Sequence, residues 1–279
     1  MRVTEQQRPV GQIRNGPPFG RHMPAVVGMT ALVFVVVVWW ILTAGTNIMS
    51  PQVMASPTDS AWTLGRLMVD PFAGSTLPEH ALASLNRWAR GYLAAVILGV
   101  PLGAIFAWYR DVRSALSPIF ETLRYIPPFA WVPIAILWFG PGTTAQAIVV
   151  FIAAFPPCVI NTHRALTTLD PTVLRAARTV GASRLATLIR VALPASTPGI
   201  TAGLRIAVSN GWMALMGAEL IVGQKGLGFL INAGGENGQP DVIIAGMVSI
   251  GILGLILDTL VLTLTRPMLQ WRKGIESGD

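Results

Sequence analysis

The sequence predicts an all-α membrane protein with six transmembrane helices and with both termini in the cytoplasm. Of its 279 residues, 52% are hydrophobic and only 12% are charged, whereas soluble domains carry roughly 25% charged residues. Uncharged runs of about 20 residues, the length that crosses a bilayer as a helix, recur along the chain. Basic residues collect in alternate polar segments, which sets the direction of each span.

The net charge of +7 comes mainly from one side of this topology. Of the 20 lysines and arginines, 15 lie in four segments, namely residues 1–24, 110–124, 164–190 and 266–273. The positive-inside rule places these segments in the cytoplasm. A basic protein can also bind nucleic acid, but this distribution favours a membrane topology and no nucleic-acid partner.

The first predicted span covers residues 25–44 and follows a cytoplasmic tail, residues 1–24. A cleaved signal peptide is the alternative, but the apolar run is long for one and no clear small-residue cleavage site follows it. Residues 45–79 carry four prolines, and three acidic residues against one arginine, so they are predicted to face outward.

The second predicted span covers residues 83–109. Arg87 and Arg90 lie near its outer end, where long side chains are expected to reach the membrane interface. Gly91, Gly99 and Gly103 are separated by multiples of four, which predicts close packing of one helix face against a neighbour.

The third and fourth spans are predicted within residues 125–162, which carry no charge over 38 residues. The sequence Gly140-Pro141-Gly142 is expected to form the turn between them. Prolines within both spans predict irregular helices, because neighbouring helices or water can satisfy the freed carbonyls. Such irregular spans favour a polar pathway beside them. After the second span, the basic stretch around residues 110–113 is predicted to be an inner loop.

The fifth span, residues 197–222, and the sixth, residues 242–265, contain ionisable groups. Such groups are costly in a membrane, so Arg205 and Glu219 are functional candidates. The alternative is that Arg205 lies near the inner end and Glu219 near the outer end, and that both reach water. Asp258 is expected to cap a helix or to form a pair inside the bundle. Residues 223–241 are predicted to form a glycine-rich outer loop. Residues 269–279 are predicted to form a cytoplasmic tail.

Residues 170–194, DPTVLRAARTVGASRLATLIRVALP, form the one long basic segment inside the apolar sequence. Asp170 and Pro171 are typical of a helix start. Gly181 is expected to end this helix, and a second helix is expected to run from a Ser183 cap until Pro194 stops it. The alternative is a solvated cytoplasmic loop.

This segment resembles the EAA loop of bacterial ABC importer permeases, the coupling helix that sits in a groove of the ATPase. The resemblance rests on Ala176, Ala177, a glycine four residues further on, and the final Leu193-Pro194. Arg175 replaces the glutamate of the family pattern. The stretches ASLNRWARGYLAAVILGVPLG, LRYIPPFAWVPIAILWFG, TAGLRIAVSNGWMALMGAELI and GLGFLINAGG resemble the subgroup for taurine, alkanesulfonates, nitrate and bicarbonate.

The resemblance covers nearly the whole chain from residue 25 onward and implies a type I ABC importer permease domain, residues 25–268, in a bacterial cytoplasmic (inner) membrane. It implies that two copies of this chain, each docked on one of two ATPase subunits, receive a small solute, an anion such as a sulfonate or taurine, nitrate or bicarbonate, from an extracytoplasmic binding protein. The residues implied in ATPase coupling are Arg175, Ala176, Ala177, Arg178, Gly181, Ala182, Leu193 and Pro194.

The residues predicted for the translocation pathway are Asn210, Trp212, Met213 and Met216, with Glu219 near the outer gate. A stripe of Met and aromatic residues is, however, also typical of packing.

Sequence motifs that are absent limit the chemistry. The chain has no G-x-x-x-x-G-K motif followed by Ser or Thr, so ATP and Mg are expected on a partner ATPase and no cofactor on this chain. Three histidines and the single Cys158 predict neither a disulfide nor a metalloenzyme. The rival function is a stand-alone secondary carrier or channel, which would usually show an inverted repeat; none is evident.

Overall fold

The structure is a computed structural model, and it describes residues 23–46 and 49–267. The two predicted tails lie almost wholly outside these residues. The described residues form helices and, apart from one isolated bridge between Phe72 and Ser75, no β-structure. The helices are α1 Met23–Trp40, α2 Pro57–Leu67, α3 Leu77–Trp108, α4 Arg110–Leu123, α5 Val132–Phe139, α6 Thr143–Thr167, α7 Pro171–Thr179, α8 Arg184–Thr187, α9 Leu193–Ala195, α10 Thr197–Val222, α11 Leu227–Glu236 and α12 Pro240–Thr265.

Within the described residues, four helices are long and apolar enough to cross a membrane: the α1 region Val26–Gly45, then α3, α6 and α12. Helices α10 and α11 qualify together as a fifth span, bent by 43° at the break between them. The protein is therefore an all-α, multi-pass membrane protein.

The third predicted span is much shorter than expected. The apolar helical segment Pro128–Phe139 is too short to cross a bilayer as one straight helix. Pro127 and Pro128 delay its start, since proline and the residue before it disfavour the helix interior, and Gly140, with φ +76°, ends it.

Two segments predicted as loops are helices. The inner loop after the second span is the amphipathic helix α4, and the glycine-rich outer loop contains α11. Glycine is a poor helix former, but α11 is stabilised by tertiary packing. A Cβ on Gly234 would lie 3.2 Å from the side chains of Val242 and Ile243 in α12, so glycine lets α11 and α12 lie close together without displacing these side chains.

The core lies where α3, α6 and α10 pack together, around Trp88, Val150 and Leu215. The predicted packing role of the α3 glycines is confirmed. An added Cβ would lie 2.3 Å from the Ala147 carbonyl oxygen at Gly91, 2.7 Å from Cys158 Cβ at Gly99 and 2.5 Å from the Val159 carbonyl oxygen at Gly103. Helices α3 and α6 therefore touch backbone to backbone.

Gly91→Ala is expected to lower thermal stability, because the new methyl group forces α3 away from α6. Overpacking of this kind costs about 1–3 kcal/mol. Thermal unfolding of the purified chain in detergent measures the effect. Gly65→Ala in α2 is the control, since no atom lies within 4 Å of its added Cβ, and melting temperatures that match this control would contradict the packing interpretation.

Candidate functional site

The basic segment 170–194 forms the two short helices that the sequence predicts. The Asp170 carboxylate accepts a hydrogen bond from the backbone N–H of Thr172 at 2.8 Å, and this bond holds the pKa of Asp170 below its usual value. Gly181 follows α7 with φ +79°, a conformation that favours glycine. Ser183 Oγ then accepts from the backbone N–H of Ala186 at 3.2 Å and caps α8.

The prediction that Pro194 stops the second helix is wrong. The chain stays helical through a wide π-type turn, Leu188–Ala192, and through α9, and it turns only at Ser196. Pro194 is tolerated because it lies in the first turn of α9. Backbone N–H groups in a first helical turn have no partner within the helix, so the missing N–H of proline costs no helical hydrogen bond there. Ser196 Oγ donates to the Ala165 carbonyl at 3.2 Å and ties this end of the segment to α6.

The rest of the segment is anchored to one end of the helix bundle. Arg184 Nη2 donates to the Trp108 carbonyl at 2.8 Å, and its guanidinium lies 5.3 Å from the centre of the Tyr109 ring. Beneath it, Leu188 and Ala192 pack in a cluster with Ala104 and Leu166. The anchoring role of Arg184 could not be predicted from the sequence, because its charge alone does not distinguish it from the other arginines of the segment.

The outer surface of the segment is apolar and flanked by positive charge. Val180, Leu185 and Ile189 are 83%, 59% and 55% exposed. Of the residues predicted for coupling, Arg175, Ala176, Arg178, Gly181 and Pro194 are exposed and Ala182 and Leu193 are half-buried. Ala177 is buried, so its side chain offers little surface to a partner.

A cavity of about 590 Å³ opens between the end of α4, the segment before α5, and helices α6 and α10. Most of its wall is aromatic or aliphatic, and its polar groups come from Arg124, Asn161 and Asn210. Arg124 contacts Glu121 and lies 4.7 Å from the centre of the Tyr125 ring. The cavity suits a small solute with both polar and apolar parts.

Among the residues predicted for the pathway, only Asn210 lines this cavity. Met213 is 64% exposed on α10. Trp212 is buried, with Nε1 donating to the Ile250 carbonyl at 3.1 Å, and Met216 packs against the core. The structure thus places Trp212 and Met216 as packing residues.

Glu219 and Arg87 form a buried ion pair at the end of α10 that lies away from segment 170–194. The distance between Glu219 Oε1 and Arg87 Nη1 is 2.7 Å. Ser84 Oγ lies 2.8 and 2.9 Å from the two carboxylate oxygens, and the Gly228 N–H donates to Oε2 at 3.0 Å. Glu219 is fully buried and Arg87 is 8% exposed. The expectation that Arg87 reaches the membrane interface is wrong, and so is the alternative that Glu219 reaches water. Each side chain supplies the counter-charge that permits the other to be buried.

The chain between α10 and α11 wraps around Glu219. A Cβ on Gly226, at φ +136°, would lie 2.4 Å from the Glu219 carboxyl carbon, and one on Gly223 would lie 2.3 Å from the Glu219 carbonyl oxygen. The Leu227 N–H donates to Ser84 Oγ at 2.9 Å, and the Arg87 guanidinium also donates to the Lys225 carbonyl. The network therefore joins α3, α10 and α11.

His80 extends the network, and the two hydrogen bonds of its ring determine its tautomer. The Gly226 N–H donates to Nδ1 at 3.0 Å, so the ring proton lies on Nε2, which donates to the Phe72 carbonyl at 3.0 Å. Sequence reasoning missed His80 and Ser84. Their signal was the recurrence of polar residues at positions 80, 84 and 87, one helical face of an otherwise apolar span.

The predicted pairing of Asp258 is confirmed, and its partner is Arg205. Nε and Nη2 of the arginine donate to the two carboxylate oxygens at 2.9 and 2.7 Å. The pair bridges α10 and α12 in the half of the bundle nearer to segment 170–194.

Bent apolar spans, a cavity beside them and an apolar, basic-flanked segment at one end of the bundle are the arrangement expected of a membrane transport subunit. Residues 99–270 match the family of binding-protein-dependent transport system inner membrane components. The chain belongs to this family and is a permease subunit of an ABC importer.

The chain is also similar in sequence to three permeases of named transport systems. The chain is 33% identical to the taurine transport system permease protein TauC of Escherichia coli strain K12, over 93% of this chain and 94% of that protein. It is 34% identical to the nitrate import permease protein NrtB of Leptolyngbya laminosa, over 83% and 84%. It is 38% identical to the bicarbonate transport system permease protein CmpB of Synechococcus elongatus, over 68% and 69%.

Solved structures share the fold. A chain of the inward-facing MetNI methionine ABC transporter superposes with a TM-score of 0.61 at 20% identity, over 69% of this chain and 95% of that chain. A chain of a bacterial ABC transporter that imports the acidic polysaccharide alginate superposes with a TM-score of 0.58 at 12% identity, over 88% and 98%.

Proposed function

We propose that this permease forms half of the pathway for a small anion, delivered by an extracytoplasmic binding protein and moved by alternating access. The observation that carries the choice of solute is the similarity, along most of the chain, to permeases named for taurine, nitrate and bicarbonate. Taurine carries a sulfonate and the other two are oxyanions, so an oxyanion group is the feature that they share.

The proposed topology has six membrane-inserted segments, with both termini in the cytoplasm. The segments are the α1 region, α3, the short α5 region, α6, the bent α10–α11 unit and α12. Segment 170–194 lies between α6 and α10. Its four basic residues, together with those of the other segments predicted on the same side, support this orientation.

Segment 170–194 is the proposed docking surface for the ATPase. Val180, Leu185 and Ile189 present the apolar contact, and Arg175 and Arg178 are placed to pair with acidic groups of the partner. ATP and Mg bind to that partner, and its closure moves the segment as a rigid body because Arg184 and the cluster around Leu188 fasten it to the bundle.

The proposed pathway follows the exposed face of α10 and the cavity beside it. Ser209 and Asn210 are exposed in the middle of this span. Polar side chains facing hydrocarbon are unfavourable, so they support a water-filled space on this face. A second copy of the permease would close the space from the other side.

Uptake of labelled taurine, nitrate and bicarbonate into proteoliposomes tests the function. The permease, the ATPase encoded beside it and the binding protein are reconstituted together, and uptake of at least one of the three anions is expected to require ATP. Uptake that proceeds without the ATPase would favour the secondary carrier instead, and ATP-dependent uptake of none of them would contradict the choice of solute.

The combined substitution Asn210→Ala and Met213→Ala is expected to reduce ATP-dependent uptake about fivefold or more, because loss of one hydrogen-bonding group costs roughly 1 kcal/mol. Initial uptake rates at several solute concentrations measure the effect. Met247→Ala is the control, as Met247 is 58% exposed on α12. Unchanged uptake by the double variant would remove both residues from the pathway.

A further inference from the structure

The Arg205–Asp258 ion pair lies inside the membrane-spanning part of the bundle. Arg205 is eight residues after the start of α10, which is about 12 Å along the helix, and Asp258 is seven residues before the end of α12, which is about 10 Å. Those two helix ends lie on the same side, since α10 runs away from segment 170–194 and α12 runs back. The two helices therefore bring the charges to matching depth.

This pair differs from the Arg87–Glu219 pair in its exposure. The side chains of Arg205 and Asp258 are 44% and 26% exposed, whereas Glu219 is fully buried. Charged groups in a span rarely face lipid and almost always face a bundle interior or a water-filled space. Ser209, one helical turn further along α10, is exposed on the same face.

The Arg205 guanidinium keeps N–H donors that Asp258 does not use. Nε and Nη2 donate to Asp258, and within the part of the chain that the structure describes no group accepts from Nη1. A guanidinium fork matches the oxygens of an oxyanion, and a carboxylate bound on its other edge fixes its orientation.

We propose that Arg205 binds the oxyanion group of the solute in the half of the pathway nearer to the ATPase, and that Asp258 is a positioning residue. Asp258 orients the guanidinium and weakens its attraction for the anion. Weak binding suits a transport pathway, because a solute must leave each site as readily as it enters. This inference rests on the proposed function and adds a specific anion contact to it.

The test measures the local charge preference at position 209 in the full chain, in permeabilised membrane vesicles. Cys158→Ala removes the native thiol and Ser209→Cys places one beside Arg205. The reaction rates of the anionic 2-sulfonatoethyl methanethiosulfonate and of the cationic 2-(trimethylammonium)ethyl methanethiosulfonate are compared, each relative to free cysteine. The anionic reagent is expected to be favoured about fivefold, because an adjacent, partly compensated positive charge attracts it.

Three further variants in this background separate an anion site from a structural ion pair. Arg205→Gln is expected to abolish the preference and Asp258→Asn to increase it. The exchange Arg205→Asp with Asp258→Arg retains an ion pair, and so guards against misfolding, but it is expected to lose the preference because the negative charge then lies beside position 209.

Absence of reaction with both reagents would overturn the inference, since it would place this face in lipid or in a closed contact. A preference that survives Arg205→Gln would overturn it as well. Because the test needs neither the ATPase nor a known solute, ATP-dependent anion uptake without any charge preference would reject the Arg205 site and leave the proposed function standing.

Discussion

Glu219→Ala is expected to lower the free energy of unfolding by roughly 3–5 kcal/mol, the usual cost of removing one partner from a buried ion pair. The substitution leaves the Arg87 guanidinium buried without a counter-charge and removes the acceptor of the Gly228 N–H. The contact between α3 and the α10–α11 unit should loosen first. Thermal unfolding of the purified chain in detergent measures the loss.

Two comparisons make this result interpretable. Glu121→Ala is the control, because Glu121 forms a partly exposed ion pair with Arg124 within one turn of α4, and such pairs contribute little. The double substitution Arg87→Met with Glu219→Leu is expected to recover much of the stability, since an apolar pair removes the unpaired charge. A Glu219→Ala variant that melts with the control would show that the network does not hold these helices together.

Gly181→Val is expected to reduce ATP-dependent uptake at least tenfold while ATP hydrolysis by the complex continues. A β-branched side chain at φ +79° is strained by about 1–2 kcal/mol, and the hinge relieves this strain by changing the direction of the second helix. Nothing lies within 4 Å of an added Cβ, so the effect comes from backbone conformation and not from a clash. The measured quantity is ATP hydrolysed per solute imported.

Gly74→Val is the matched control for this prediction. Gly74 has φ +84° and no neighbour within 4 Å of an added Cβ, but it lies between α2 and α3, far from segment 170–194 along the chain. It should show a similar backbone strain with an unchanged ratio of ATP to solute. Equal ratios in both variants would deny Gly181 a role in coupling.

Features that depend on neighbouring residues could be predicted from the sequence. The cap at Asp170, the hinge at Gly181 and the cap at Ser183 each depend on a few adjacent backbone groups. The close α3–α6 contact was likewise predictable, because glycines at multiples of four place the contact on one helix face.

Features that depend on tertiary packing could not be predicted. Arg87 and Glu219 are 132 residues apart, and their pairing depends on how α3 and α10 are rotated and aligned. Both side chains therefore looked like groups near a membrane interface. The glycine-rich stretch of α11 has a weak intrinsic tendency to form a helix, and its contacts with α3, α10 and α12 stabilise that helix.

The central claim is that segment 170–194 couples this permease to a separate ATPase. Native mass spectrometry of the chain, co-expressed with the ATPase encoded beside it and purified in detergent, tests this claim most directly. We expect an assembly of two permeases with two ATPases, and its loss when the exposed Ala176 is replaced with tryptophan. A chain that stays alone and still transports solute, or an assembly unaffected by Ala176→Trp, would contradict the claim.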